Sequence, residues 1–140
     1  TVIRTVDAVG AKGVILIGET TDPFSMETVR ATMGSIFSVP VAKTPVDGFL
    51  EFLRSFPGLV AGTHLAGAVD YRAPDYAGRP LLLVMGNEQQ GLPQQIADAC
   101  KVLVKIPQAG KADSLNLAVA TGIMLYEVRR AALVLETPKP

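Results

Sequence analysis

The 140-residue chain has one cysteine, one histidine and no tryptophan. The lone cysteine, Cys100, excludes an intrachain disulfide and fits a reducing compartment. With His64 as the only histidine, no His/Cys/Asp cluster has metal-ligand spacing, so the sequence predicts no metal site. No apolar run approaches the roughly 18 residues that would indicate a membrane span, and the start lacks the basic-then-apolar pattern of a signal peptide. We therefore expect a cytoplasmic protein with no membrane segment.

Neither positive nor negative charge is in excess. Thirteen basic and thirteen acidic residues give no net charge, and the isoelectric point is near 6.5. A free-standing nucleic-acid binder is usually more basic, so nucleic acid would have to be bound by a local patch, by a dimer, or by a segment outside this sequence. The first residues, Thr1–Val6, already follow a helical apolar pattern with no cap before it. We therefore expect that upstream sequence is missing.

Hydrophobic residues make up 49% of the chain, which is enough for one domain spanning residues 1–140. Short aliphatic runs alternate with amphipathic stretches, and this alternation predicts an α/β domain with a mainly parallel sheet. The predicted strands are Val14–Ile17, Val39–Val41, Gly58–Gly62, Leu81–Met85 and Val102–Ile106. The predicted helices are Thr1–Gly10, Asp22–Met33, one that begins at Thr44–Asp47, Gln94–Ala99, and one from Asp113 or Ser114 to about Leu135. Residues 66–80 are expected to be loop or broken helix.

The last helix should bury one stripe of side chains, and residue spacing assigns Leu115, Ala118, Val119, Gly122, Ile123 and Tyr126 to it. Two of the predicted strands end in polar, small-residue loops, one after Met85 and one after Ile106. Because the carboxyl ends of parallel strands share one edge of a sheet, both loops should line one pocket. Gly86 and Gly91 would let the backbone approach a flat ligand closely.

The same stretches carry a family resemblance. GNEQQGL (86–92) and KIPQAGKADSLNLAVATGIMLYE (105–127) resemble the second and third motifs of the SpoU/TrmH-type RNA 2′-O-ribose methyltransferases, which belong to the SPOUT superfamily. TVIRTVDAVG (1–10) is similar to the later part of the first motif. The resemblance implies a parallel-sheet α/β/α domain with a C-terminal deep trefoil knot, S-adenosylmethionine (AdoMet) as methyl donor, rRNA or tRNA as substrate, and a homodimer.

The resemblance also implies which residues act. Positions matching Gly86, Ile106 and Leu115 contact AdoMet in the family, and Arg4 matches an arginine thought to activate the 2′-hydroxyl and hold phosphate. Glu88, Ser114 and Asn116 match the family's functional Glu, Ser and Asn. The full predicted set is Arg4, Glu88, Ser114 and Asn116 for catalysis, and Thr63, Met85, Gly86, Gly91, Ile106, Pro107, Ala109 and Leu115 for the cofactor. The family's motif-one asparagine would fall before residue 1, and Gln108 stands where methionine is common.

Other interpretations stay open. The chain could be a cofactor- or RNA-binding module of the same fold without catalysis, or a SPOUT enzyme that methylates a base. A plain nucleotide-binding domain lacks its usual motifs, because neither G-x-G-x-x-G nor a P-loop is present. Individual residues have structural explanations too: Ser114 as a helix N-cap, His64 as a pocket-lining residue, and Cys100 as a small buried apolar residue. Tyr71 and Tyr76 are weak candidates for stacking on bases.

Overall fold

The structure, a computed structural model, describes residues 2–18, 40–64, 68–86, 91–110 and 115–135, with residues 2 and 3 described by their backbone alone. Ten elements lie in these ranges. In chain order they are α1 (Val2–Ala8), β1 (Val14–Ile17), β2 (Val41–Thr44), α2 (Val46–Ser55), β3 (Leu59–Thr63), β4 (Val69–Asp70), β5 (Leu81–Val84), α3 (Gln94–Ala99), β6 (Val102–Lys105) and α4 (Leu117–Val128). The predicted helix Asp22–Met33 lies outside the described residues.

Every strand pairing in the described part of the chain is parallel. One ladder has the order β4-β6-β3-β5, and β1 pairs with β2 in a second ladder. β3 is the central strand of the larger ladder, where Gly62 is opposite both Val84 and Leu103. The prediction of a parallel α/β domain is therefore confirmed.

Helices cover both faces of the strands. On one face, Phe49 of α2 and Ile96 of α3 pack with Val60 and Val84. On the other face, Val6 and Val9 of α1 pack with Leu125 of α4, and Leu59 and Ala61 pack around Tyr76. Strands of both ladders contribute to the first two clusters, so they act as one layer between two helical layers. In the described part of the chain, no helix is long and apolar enough to cross a membrane.

α1 ends as the glycine at position 10 predicts. Gly10 has φ of +72°, and the backbone N–H groups of Gly10 and Ala11 donate to the carbonyl oxygens of Asp7 and Val6. This pair of bonds is a Schellman motif, in which a left-handed residue reverses the chain without a Cβ penalty. The helix therefore stops two residues earlier than the predicted span, at Ala8.

The start of α2 was predicted correctly, but its cap was not. Thr44 is the last residue of β2 and pairs with Ile17 of β1. Pro45 takes the N-cap position with φ of −68° and makes no side-chain cap. The sequence places Asp47 three residues after Thr44, where the acid of a capping box would lie. That box does not form, because Pro45 is extended (ψ of 165°) and the helix begins only after it.

Two predictions about the C-terminal half need correction. Residues 66–80 were predicted to lack strands, but Val69 and Asp70 pair with Val104 and Lys105 as the two-residue strand β4, which is too short to show a periodicity. α4 runs from Leu117 to Val128, not from Asp113 or Ser114 to Leu135.

The predicted buried stripe of α4 is also partly wrong. Thr121, Met124 and Leu125 are buried, whereas Val119 is 52% and Tyr126 54% exposed. Spacing could not distinguish the faces, because α4 is apolar on nearly every side and its sequence LAVATGIMLYEV has a single charged residue.

Candidate functional site

The candidate site lies where the carboxyl ends of β3, β5 and β6 meet. Because these strands are adjacent and parallel, Thr63 at the end of β3 lies beside Val104, and Gly62 lies beside Val84. The chain then leaves β5 through Met85 and Gly86, and leaves β6 through Ile106 and Pro107. This is the edge of a parallel sheet at which ligands bind. The structure thus brings together the predicted positions Thr63, Met85, Gly86, Ile106 and Pro107.

The loop after β5 closes on itself at its two glycines. A Cβ on Gly86 would lie 2.5 Å from the carbonyl carbon of Gly91 and 2.6 Å from the nitrogen of Leu92. Gly91 itself has φ of +68°, a conformation that glycine adopts most readily. From the sequence we predicted that both glycines allow the backbone to approach a ligand closely. The structure gives another reason for Gly86, which is contact with the returning end of its own loop.

The loop after β6 presents backbone beside apolar side chains. Ile106 and Leu115 are half-buried, while residues 107–110 between them are exposed. An apolar pair with exposed backbone groups suits a flat heteroaromatic ring, whose faces need apolar contact and whose edge needs hydrogen bonds. Glu88 and Ser114, two predicted catalytic residues, lie outside the described residues.

Asn116 is the N-cap of α4. Its carboxamide oxygen accepts hydrogen bonds from the backbone N–H groups of Ala118, at 2.9 Å, and Val119, at 3.4 Å. The cap that the sequence assigned to Ser114 is therefore made by Asn116, because α4 begins after it. The cap uses only the oxygen, and a carboxamide also carries two N–H donors. Asn116 can thus hold the helix and still serve the site.

A shallow pocket adjoins the loop after β6 on its β4 side. It has a volume of about 330 Å³ and is lined by Ala68, Val69, Asp70, Lys105, Pro107 and Gln108. Asp70 and Lys105 are partners in the β4–β6 ladder, so opposite charges line the same pocket. Pro107 is one of the predicted cofactor-binding residues, and Gln108 follows it in the loop after β6. The pocket therefore borders the predicted cofactor loop at Pro107.

The turn after β4 contains a charged cluster that the sequence did not reveal. The Arg72 guanidinium donates two hydrogen bonds to the Asp70 carboxylate, at 3.0 and 2.8 Å. These bonds, with one from the backbone N–H of Arg72, lower the pKa of Asp70 to about 2. The guanidinium carbon also lies 5.4 Å from the centre of the Tyr71 ring. The Asp-x-Arg spacing was the only signal, and it also occurs by chance.

The two tyrosines of this region differ in what they can do. Tyr76 is 9% exposed and packs with Leu59 and Ala61, and its hydroxyl donates to the Tyr71 carbonyl oxygen. Burial raises the pKa of Tyr76 to about 12. Tyr76 is therefore a core residue, and its prediction as a base-stacking residue is wrong. Tyr71 remains half-buried beneath Arg72.

Cys100 and His64 take structural positions around β3. The Cys100 thiol follows α3, donates to the Ile96 carbonyl oxygen at 3.3 Å, and lies 2.7 Å from where a Cβ on Gly62 would be. Burial raises the pKa of this thiol to about 11, so it is a poor nucleophile. The backbone N–H of His64 donates to the Val104 carbonyl oxygen at 3.0 Å and extends the ladder by one bond. No group of three or more metal-ligating side chains occurs among the described residues.

Arg4 is carried by α1, which packs on α4. Arg4 is exposed. The next residue, Thr5, contacts α4: its methyl carbon would lie 3.9 Å from a Cβ placed on Gly122 of that helix. α4 is also the helix that Asn116 caps. Two predicted catalytic residues therefore lie on two helices that touch each other. Arg129, which follows α4, also contacts the α1 region, because its side chain donates a hydrogen bond to the Val9 carbonyl oxygen. No sequence pattern distinguished Arg129 from its neighbour Arg130.

Comparison with known proteins shows the family of the chain. The sequence profile of the SpoU rRNA Methylase family matches residues 1–126. The chain belongs to the SpoU rRNA methylase family. The resemblance in the motifs around Arg4, Gly86 and Asn116 is thus confirmed at the level of the family.

Solved and curated members of the SpoU family give the extent of the likeness. An AdoMet-bound rRNA methyltransferase from Sinorhizobium meliloti has 59% identity and a TM-score of 0.92 over 96% of this chain and 51% of that chain. A 23S rRNA (uridine(2479)-2′-O)-methyltransferase from Streptomyces viridochromogenes is 38% identical over 92% of this chain and 47% of its own length. The Putative TrmH family tRNA/rRNA methyltransferase YacO from Bacillus subtilis is 36% identical over 92% of this chain and 52% of its own length. The chain spans about half the length of these relatives.

Proposed function

We propose that the chain is the catalytic part of an AdoMet-dependent methyltransferase that modifies a ribose 2′-hydroxyl of rRNA or tRNA. The observation that carries the proposal is the TM-score of 0.92, at 59% identity, with an rRNA methyltransferase that holds AdoMet. Support for the ribose comes from the Streptomyces viridochromogenes relative, whose name specifies 2′-O transfer. The SpoU family membership and the loop geometry support the same chemistry.

The residues present fit AdoMet on two structural grounds. Half-buried Ile106 and Leu115 flank exposed backbone, which suits an adenine ring, and Gly86 allows no side chain at the mouth of its loop. When bound, AdoMet would supply an electrophilic methyl group on a sulfonium. We propose that Thr63, Met85, Gly91, Pro107 and Ala109 complete its binding site.

The remaining task for the protein is to prepare the ribose hydroxyl. The hydroxyl would have to give up its proton, to a base or to water, as its oxygen accepts the methyl group. Arg4 would hold the adjacent phosphate and steady the negative charge on the attacking oxygen, because a guanidinium grips phosphate with two bonds. Glu88, Ser114 and Asn116 would orient the loop and the nucleotide.

We also propose a homodimer and a trefoil knot, as the resemblance implies. The exposed apolar side chains of α4 support the dimer: Val119 and Tyr126 are more than half exposed, and Leu135 beyond the helix is 93% exposed. Apolar surface of this kind marks interaction sites in soluble domains. A dimer would bring a second α1, with its Arg4, toward each cofactor loop. Measuring the mass in solution at micromolar concentration tests this, and a monomer would contradict it.

The direct test of the site is calorimetric titration with AdoMet of the wild type, Gly86→Ala and Gly48→Ala. In both variants the new Cβ meets an atom 2.5 Å away. At Gly86 that atom is backbone of the cofactor loop, whereas at Gly48, in the first turn of α2, it is the side-chain hydroxyl oxygen of Thr44 at the end of β2. We expect Gly86→Ala to weaken AdoMet binding by about tenfold or more, because a displacement of this size disturbs a preorganised site, and Gly48→Ala to bind like the wild type.

Three outcomes separate the competing interpretations. A folded wild type that does not bind AdoMet contradicts the proposal. AdoMet binding without transfer to RNA indicates a binding module. Where transfer occurs, nuclease digestion and mass spectrometry locate the methyl group, and a methylated base would exclude the ribose.

A further inference from the structure

The contact between α1 and α4 has a defined direction. Thr5 of α1 lies beside Gly122 of α4, and Val9, further along α1, accepts a hydrogen bond from Arg129, further along α4. The points of contact thus advance in the same direction on both helices. The end of α1 that carries Arg4 is therefore directed toward the end of α4 that Asn116 caps.

Apolar packing holds α1 against α4 and against the strands. Among the side chains of α1 and its C-terminal turn that the structure describes, Val6 and Val9 are buried. They pack with Leu125 of α4 and with Val14, Val41 and Leu83 of the strands. A helix of seven residues is not stable by itself and depends on such packing for its position. Apolar packing is non-directional, so a hydrogen bond between the two helices adds a directional restraint to it.

Arg129 supplies that bond. Its Nε donates to the Val9 carbonyl oxygen at 3.0 Å, across 120 residues of sequence. The Val9 carbonyl lies at the C-terminal end of α1, where carbonyl oxygens lack helical partners and the helix dipole favours a positive charge. The Nη2 atom lies 3.7 Å from where a Cβ on Gly10 would be, so the left-handed glycine that ends α1 also leaves room for the guanidinium.

We propose that Arg129 is a positioning residue for the methyl-transfer reaction, which fixes the register of α1 on α4 and thereby the placement of Arg4. This inference rests on the proposed function, because it assigns Arg129 a role in that reaction. Arg129 touches neither AdoMet nor RNA in this role. Its loss should lower kcat while leaving AdoMet affinity unchanged, since the cofactor loops follow β5 and β6 and not α1.

The test compares Arg129→Met, Arg129→Lys and the matched control Arg130→Met in the full chain. Arg130 is the next residue along, and its 78%-exposed side chain lies 3.6 Å from the carboxylate of Glu127, whose side chain is 14% exposed. Methionine keeps the length and the helix propensity but removes the donor. Initial rates of tritiated methyl transfer from AdoMet to unmodified transcripts of rRNA and tRNA give kcat and KM, and calorimetry gives the AdoMet Kd.

We expect Arg129→Met to lower kcat about tenfold or more, because misplacement by about 1 Å costs up to about a hundredfold, with the AdoMet Kd unchanged. Arg129→Lys should lie between it and the wild type, because an ammonium can still donate to the Val9 carbonyl. Hydrogen exchange at the amides of Gly10 and Ala11 should quicken in Arg129→Met and not in Arg130→Met.

The outcomes distinguish this inference from the proposed function. A wild type that neither binds AdoMet nor transfers methyl overturns the proposed function, and this inference with it. An active wild type with equal kcat in Arg129→Met and Arg130→Met overturns the positioning role alone. A loss of kcat and AdoMet affinity together shows a merely structural role, which also overturns it. If Arg129→Met does not fold, Arg129→Lys and Arg130→Lys are compared, and equal kcat overturns the inference.

Discussion

Asn116 should carry two separable roles, one in stability and one in the reaction. Its carboxamide oxygen accepts one good hydrogen bond, at 2.9 Å, and one long bond, at 3.4 Å, from the first turn of α4. Replacing an Asn cap by Ala costs about 0.5–2 kcal/mol. Since only one of the two bonds is short, and Thr121 and Met124 hold the rest of α4 in the core, we expect Asn116→Ala to cost about 1 kcal/mol.

Asn116→Asp isolates the second role. A carboxylate keeps the capping oxygen and gains about 0.3–1 kcal/mol near the positive end of the helix dipole, but it has no N–H donors. Asn116→Asp should therefore be at least as stable as the wild type, yet impaired in methyl transfer if the carboxamide N–H group serves the site.

Urea denaturation at fixed protein concentration measures the free energy of unfolding of both variants, and the concentration is held constant because a dimer makes stability depend on it. Methyl-transfer rates are measured in parallel. An Asn116→Ala variant as stable as the wild type would refute the cap. Full activity in Asn116→Asp would refute a functional role for the carboxamide nitrogen.

Two further predictions concern the sheet and its charged edge. Gly62→Ala should lower the free energy of unfolding by about 1–3 kcal/mol, because the new Cβ would lie 2.7 Å from both Cys100 Sγ and Leu92 Cδ1. Thermal melting of this variant is compared with that of Gly48→Ala as the control. Equal melting temperatures of the two variants would contradict the prediction. Asp70 has a folded-state pKa lowered to about 2 by its bonds from Arg72, so its stabilising contribution is present above the ordinary carboxyl pKa of about 3.9 and is lost as the pH falls toward 2. The melting temperatures of wild type and Asp70→Asn should therefore differ at pH 6 and converge near pH 2, and a constant difference would show that the ion pair contributes nothing.

The sequence by itself determined the parallel α/β class, the family, and the two loops of the site. The class follows because runs such as Val14–Ile17 and Leu81–Val84 are continuous aliphatic segments, which suit strands covered by helices on both faces. The end of α1 followed from Gly10, because a left-handed turn after a helix needs glycine. These features depend on residues close together in the chain, so local pattern is enough to predict them.

Only the tertiary structure decided which surfaces meet. α4 is apolar on most sides, so its sequence could not show that Met124 faces the core while Val119 and Tyr126 face outward. The two-residue strand β4 forms because its residues pair with Val104 and Lys105 of β6. Thr44 ends a strand that pairs with β1, and α2 begins only after Pro45. The bond from Arg129 to Val9 joins positions 120 residues apart. No local pattern encodes such a contact, because its energy arises only when packing brings the two helices together.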